Sequence, residues 1–546
     1  MIGMLKKALS GVHYGQRGAI MKNITSSVYS FEKLRREGYL YVDKTEFIWK
    51  LINPAGESYF LSRPRRFGKS LTLSTLKAIF EGKKELFKGL AIYDKPYDWR
   101  PYPIIHLSFG DYNIVSNAKD ELPNYLMSKM RMIAQEHSIQ LPDDTPANCF
   151  GYLIDKIYEK SQVVILVDEY DKPILDNITN PDVKEILKCL KGFYSVLKDR
   201  NTKERLLFIT GVSKFCHVSL FSDLNNLTDI TMDYNYAAML GYTQEELETY
   251  FADRIELASK QLNMPQEQLL PKIKAWYDGY RFHEEAPRVY NPVSLAEFFT
   301  KRFEFNNYWF TTGTPSFLLE LIMKSKFNLE RSFEAPVGGS FFNAFELNDL
   351  DPQVLLFQTG YLTIDRAEQR TIPFTTKSIK EYYLRFPNQE VEESFNDSLL
   401  AYCTTVRKQD TQELILKLVT AVGTGDADGL MVLFKSVFAG IPYQIHVKDE
   451  HYYQTVFYVI CDLLKLAVQA EVATNDGMID MVIHVGEWIF VIEFKLNKTA
   501  DEAMKQIENK EYALKYHKED KKIMLLGVNF DFNSGNITNW IKEEYR

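Results

Sequence analysis

Cysteine is scarce in this chain. Its five cysteines, Cys149, Cys189, Cys216, Cys403 and Cys461, lie far apart and make no C-x-x-C pair among 546 residues. That excludes a disulfide framework and a cysteine-based zinc centre, and it fits a reducing compartment. Long apolar runs are also missing, since none reaches the roughly 18 residues of a membrane span. The opening residues 1–20, MIGMLKKALSGVHYGQRGAI, lack the sustained apolar stretch of a secretion signal. They read as an N-terminal extension, and a cytoplasmic protein with no membrane partner is expected. Nor is there an excess of basic charge. The net charge is −8, so any contact with nucleic acid must rest on local patches.

What is present is an ordinary globular composition, 45% hydrophobic and 25% charged, in a chain too long for one core. Residues 21–240 alternate short apolar runs with helical patterns, as α/β folds do. The runs at 58–62, 103–109, 163–168 and 205–211 resemble strands buried on both faces of a mainly parallel sheet. Residues 241–390 read as a mainly helical linking or lid region, with Asn291 and Pro292 opening one helix. Residues 391–546 begin helical and return to strands from about residue 471.

The first chemical motif is SYFLSRPRRFGKSLTLSTLKAIF, residues 58–80. Gly68-Lys69-Ser70 ends like a P-loop, G-x-x-x-x-G-K-[ST], but Arg63 stands where the first glycine belongs, followed by Pro64, Arg65 and Arg66. A strand enters the loop and an apolar helix leaves it, which aims backbone N–H groups and the positive helix end at a phosphate. Arg66, Phe67, Gly68, Lys69, Ser70 and Leu71 are the candidate contacts of ATP. Lys69 would reach the β/γ-phosphates and Ser70 would bind Mg²⁺. The arginines are expected to add positive charge around those phosphates. The competing reading is a basic turn that caps a helix.

A second motif favours the nucleotide. In SQVVILVDEYDKP, five apolar residues run into Asp168 and Glu169. Asp168 would hold Mg²⁺, and Glu169 would orient and deprotonate the attacking water. Both motifs belong at the carboxyl ends of strands, where ligands of open α/β sheets gather. A following strand ends in Thr210-Gly211-Val212-Ser213, a candidate γ-phosphate sensor. Taken with YVDKTEFI, FITGVSKF and WYDGYRF, these stretches resemble the AAA-ATPase-like family of bacterial proteins over roughly residues 21–300. The resemblance implies a P-loop NTPase fold that binds ATP, with RPRRFGKS as the family's usual form of the loop.

The third motif is EVATNDGMIDMVIHVGEWIFVIEFKL, residues 471–496. Two strand-like runs flank Gly486-Glu487, which fits a two-residue type II′ hairpin. Val485 then pairs with Trp488, and counting outward sets Asp480 opposite Glu493, with Lys495 on the same face. Two opposed carboxylates repel unless a divalent cation lies between them. An Asp followed by Glu-x-Lys on the next strand is the PD-(D/E)xK nuclease arrangement: Asp480 and Glu493 for Mg²⁺ or Mn²⁺, with Glu471 as a further acid, and Lys495 for water or developing charge. The region from about residue 391 resembles the restriction-endonuclease-like α/β domain often fused behind AAA-ATPase-like modules. That resemblance implies roles near the site for Gln506 and Tyr512. Met478 departs from it, standing where relatives often carry a phosphate-contacting arginine.

His446 and His451, beside Asp449 and Glu450, close no ligand set and read as a solvated segment. The expectation is an ATP-hydrolysing protein whose nucleotide state controls a metal-dependent nuclease-like domain acting on DNA in preference to RNA, with a homo-oligomer allowed. The alternative is a nucleotide-switched scaffold with an inactive nuclease fold.

Overall fold

The computed structural model describes residues 21–545 except 115–116, 215–219, 222, 310–315, 325–332, 334, 343–350, 373–374, 404–407, 440–449, 464–465 and 475–476. The four apolar runs are strands β1 (Glu57–Ser62), β2 (Ile104–Ser108), β3 (Val163–Asp168) and β4 (Glu204–Gly211), with a short β5 (Leu227–Asp229). Their order is β2-β3-β4-β1-β5, and every pairing is parallel. Side chains alternate between two cores with the period of a strand. Tyr59 and Leu61 of β1 join Val164 and Leu166 of β3 on one face, while Phe60 joins Val163, Ile165 and Val167 on the other. Because β4 lies between β1 and β3, its carboxyl end sits between the P-loop and Asp168.

The middle region has the helices Gln244–Tyr250, Ala252–Gln261, Gln266–Tyr277 and Pro292–Thr300. Asn291 caps the last of these, its Oδ1 accepting the Val293 and Ser294 N–H groups at 2.9 and 3.2 Å. A three-stranded antiparallel sheet follows, of β6 (Val337–Gly338), β7 (Thr363–Thr371) and β8 (Ser378–Arg385) in the order β6-β8-β7. The helical pattern did not anticipate it. Much of this hairpin is solvent-facing and charged, so it carries little apolar alternation to read.

The C-terminal region opens with the helices Gln389–Cys403, Lys408–Thr424, Ala427–Ala439 and Glu450–Leu463. A five-stranded sheet follows, of β9 (Ala467–Thr474), β10 (Gly477–Val485), β11 (Trp488–Leu496), β12 (Lys522–Asp531) and β13 (Asn536–Tyr545), in reverse sequence order. Only β11 and β12 pair in parallel, and the helix Ala500–Asn509 makes their crossover. That helix lies hard against the sheet at Gly527, where a Cβ would come within 2.6 Å of the Ala500 carbonyl oxygen. One hydrophobic cluster runs from Leu73 of the P-loop helix through Tyr361 and Phe395 to Phe457 and Phe494 of the C-terminal region. No described helix is long and apolar enough to cross a membrane.

Candidate functional site

The P-loop turns from β1 into the helix Lys69–Phe80 through Gly68, which takes φ 93°. A Cβ there would meet nothing within 4 Å, so conformation and not space calls for glycine. Arg66 is also left-handed, at φ 68°, and its Nη1 donates to the Tyr29 hydroxyl at 3.0 Å. Lys69 lies inside the loop, its Nζ donating to the Arg63 and Pro64 carbonyls at 2.9 Å each. Burial lowers the Lys69 pKa, against the pull of Asp168, Glu169 and Asp171. The side chain of Phe67 is buried against Tyr280 and Phe282, so only its backbone serves the loop. Leu71 packs against the same core.

Arg63 corrects the expectation that the arginines surround the phosphates. It is 1% exposed, and its Nη1 donates to the Ser62 and Thr231 carbonyls at 2.9 and 2.6 Å, with Nη2 reaching Tyr236 O at 3.3 Å. Its guanidinium also lies 4.0 Å from the centre of the Phe282 ring. Arg63 is therefore a strut behind the loop. Arg65 is exposed, and its carbonyl accepts the Trp309 indole N–H at 3.1 Å.

Across the sheet, burial pushes the Asp168 pKa up, against the neighbouring Ser70 hydroxyl and the charge of Lys69. Its Oδ1 is buried without a hydrogen-bond partner. A hydroxyl and an unsatisfied carboxylate oxygen side by side, within the field of Lys69, fit a hard divalent cation. Glu169 is left-handed at φ 54°, a conformation that costs a non-glycine residue free energy and recurs at functional sites. Asp171 was not anticipated. Fully buried, it accepts from Ser213 N and Oγ at 2.8 Å each and from Val212 N at 3.1 Å, and so fixes the end of β4. The sequence signal was an acid three residues beyond Asp168, but its partners lie more than 40 residues away. The neighbouring Thr210 hydroxyl is buried without a partner.

In the C-terminal sheet, Gly486 takes φ 53° and Val485 pairs with Trp488, as the II′ turn requires. The ladder runs to Met481–Ile492, and one step further brings Asp480 to Glu493. There Asp480 Oδ2 accepts the Phe494 N–H at 2.7 Å. Lys495 Nζ lies 2.8 Å from Glu493 Oε1 and donates to Phe494 O at 3.0 Å, with both residues buried. On the other flank, pairing of Ile479 with Val472 and Met481 with Ala470 brackets Glu471 opposite Asp480. The side chain of Glu471 lies outside the described residues, as do residues 446 and 449 and the side chain of His451. Among the described residues no group of three His, Cys, Asp or Glu side chains converges as a metal site. Tyr512 donates to the Met478 carbonyl at 2.7 Å and meets Gln506 at 3.4 Å. Burial, then the charges of Glu493 and Asp480, push its phenol up, while the Gln506 hydrogen bond and Lys495 oppose them.

Two family models match the chain, "Predicted AAA-ATPase" over residues 26–221 and "PD-(D/E)XK nuclease superfamily" over residues 448–540. A protein of Azotobacter chroococcum mcd 1, described as "Uncharacterized protein in vnfD 5'region", is 38% identical over 538 residues, covering 96% of this chain and 99% of that one. The Walker-type ATPase PABY2304 of Pyrococcus abyssi aligns at 11% identity with a TM-score of 0.28, over 68% of this chain and 97% of that one. The chain belongs to the family of the Azotobacter protein, with an N-terminal AAA-ATPase-like P-loop domain and a C-terminal domain of the PD-(D/E)XK nuclease superfamily.

Proposed function

We infer that the protein binds and hydrolyses ATP at the P-loop, and that nucleotide state governs phosphodiester cleavage in nucleic acid, DNA before RNA, at the C-terminal site. Domains of these two kinds use a nucleotide and a divalent metal. Ser70 and Asp168 would hold Mg²⁺ beside the phosphates bound by Lys69 and the loop amides, with Glu169 orienting water. Asp480 and Glu493, with Glu471, would hold Mg²⁺ or Mn²⁺ at the second site, and the metal would supply positive charge to the scissile phosphate. Lys495 would steady the attacking water or the developing charge. The observation that carries this reading is the convergence of Asp480, Glu493 and Lys495 on adjoining strands, with Lys495 2.8 Å from Glu493. Nucleotide control is supported by the hydrophobic cluster that reaches from the P-loop helix to β11.

The test is nicking of supercoiled plasmid in Mg²⁺ or Mn²⁺, with and without ATP. Wild type is compared with Glu493→Ala and Lys69→Ala. Cleavage lost in Glu493→Ala and altered by ATP only when Lys69 is present is the expected result. A second reading, a nucleotide-switched scaffold, is favoured by the exposed Met478 where an arginine would contact phosphate. Its signature is ATP binding with no cleavage of plasmid, single-stranded DNA or RNA in either metal.

A further inference from the structure

Away from both sites, a cleft of about 330 Å³ opens where the helix Gln266–Tyr277 ends and the helix Gln389–Cys403 begins. Its floor is tightly closed. A Cβ on Gly279 would lie 1.9 Å from the Pro387 carbonyl oxygen, and Asn388 Nδ2 donates to Asp278 O at 2.9 Å. Lys274, Arg288 and Arg385 line the cleft, with Asp278 and Glu392 as its carboxylates.

Behind the cleft wall, Asp365 is shared by Arg288 at 3.1 Å, Arg385 at 3.3 Å and Arg366 at 3.4 Å, Arg366 also pairing with Glu368 at 2.8 Å, while the Asp365 backbone carbonyl accepts Arg281 Nη1 at 2.9 Å. Burial and then the neighbouring Arg288 lower the pKa of both Arg281 and Arg385, the mark of crowded guanidinium groups. Asp278 faces the same cleft. It is 4% exposed, its Oδ1 has no hydrogen-bond partner, and burial shifts it toward the uncharged acid. The first turn of the helix Gln389–Cys403 adds its positive end to the same cleft.

We propose that this cleft is a second phosphate site, distinct from the P-loop, which takes a phosphate group between Arg288, Arg385 and Lys274. Planar guanidinium groups pair with two phosphate oxygens at once. The volume admits a phosphate and part of an attached sugar. The phosphate is either free or the terminal group of a nucleic-acid strand.

The test uses full-length Lys69→Ala protein in EDTA, which removes the P-loop and metal-dependent routes. Calorimetry is run with inorganic phosphate, with a short 5′-phosphorylated strand and with the same strand unphosphorylated. Saturable binding of phosphate or of the phosphorylated strand alone is expected, weakened about tenfold by Arg288→Gln or Arg385→Gln. Lys274→Gln, at an exposed position outside the Asp365 network, should weaken it about threefold with an unchanged melting temperature. Inorganic phosphate binding as well as the strand identifies a free-phosphate site, and preference for the strand identifies a strand-end site. No saturable binding, or equal binding in the three variants, overturns the proposal.

Discussion

Trp309 donates its indole N–H to the carbonyl of Arg65 at 3.1 Å, so the middle region grips the P-loop by its backbone. Trp309 is in turn held by Glu390, which accepts its N–H at 2.8 Å, that of Tyr308 at 2.6 Å and the Ser294 hydroxyl at 2.7 Å. Glu390 lies in the first turn of the helix Gln389–Cys403, which leads into the C-terminal region. Trp309→Phe keeps an aromatic ring against Tyr280 and Tyr361 but removes the donor. It should cost about 1 kcal/mol of stability and change ATP affinity several-fold. Isothermal titration with ATP checks this, and an unaltered affinity would show that the grip does not set the loop's geometry.

Arg63→Gly would write the ordinary P-loop spacing into the chain, yet it should damage the protein. The change leaves the Thr231 and Tyr236 carbonyls without their guanidinium partner and vacates the face of Phe282. A loss of about 3 kcal/mol or more is expected in urea unfolding. A neutral or stabilising result would mean that Arg63 is a passenger in the loop.

Glu204, at the start of β4, is buried with its carboxyl pushed up to about 8 by burial, against one long 3.4 Å bond from the Ser58 hydroxyl. The folded protein thus holds this proton more tightly than the unfolded chain. Stability from Glu204 is fully present below the unfolded value near 4.5 and is lost as the pH rises through about 8. Glu204→Gln mimics the protonated form and should remove that decline, with a gain on the order of 3 kcal/mol at high pH. Urea midpoints of both proteins on either side of that range decide the matter; parallel slopes would count against it.

Asp480→Asn keeps an acceptor for the Phe494 N–H while removing one of the opposed negative charges. Without metal, its melting temperature should equal or exceed that of the wild type. With Mn²⁺ at about a hundred times its dissociation constant, wild type should gain about 2.7 kcal/mol and the variant very little. Equal stabilisation of both by Mn²⁺ would place the cation elsewhere.

Local pattern made much of this molecule legible. The runs that became β1 to β4 were dense in buried apolar residues, and the pairing of Val485 with Trp488 followed from turn length alone. Gly68, Lys69 and Ser70 were legible as the end of a G-x-x-x-x-G-K-[ST] pattern, and Asp168 as the acid that closes an apolar run. Arg63 could not, because its partners Thr231 and Tyr236 arrive from about 170 residues further on. Asp171 was hidden for the same reason, with Ser213 and Val212 supplied by the segment just beyond β4. The hairpin of β7 and β8 carries little sequence signal because ion pairs such as Arg366–Glu368 give it a polar surface.

The two-residue turn at Gly486-Glu487 makes the nuclease-like site depend on counting as well as on chemistry. Inserting one residue there would slide β11 past β10 by one position and send Glu493 and Lys495 to the opposite face from Asp480. The turn at residues 532–535, between β12 and β13, carries no such burden, because neither flanking strand contributes an acid to the pair. Homologues that retain the Asp480–Glu493 partnership should therefore vary in length at the second turn and hold the first to two residues.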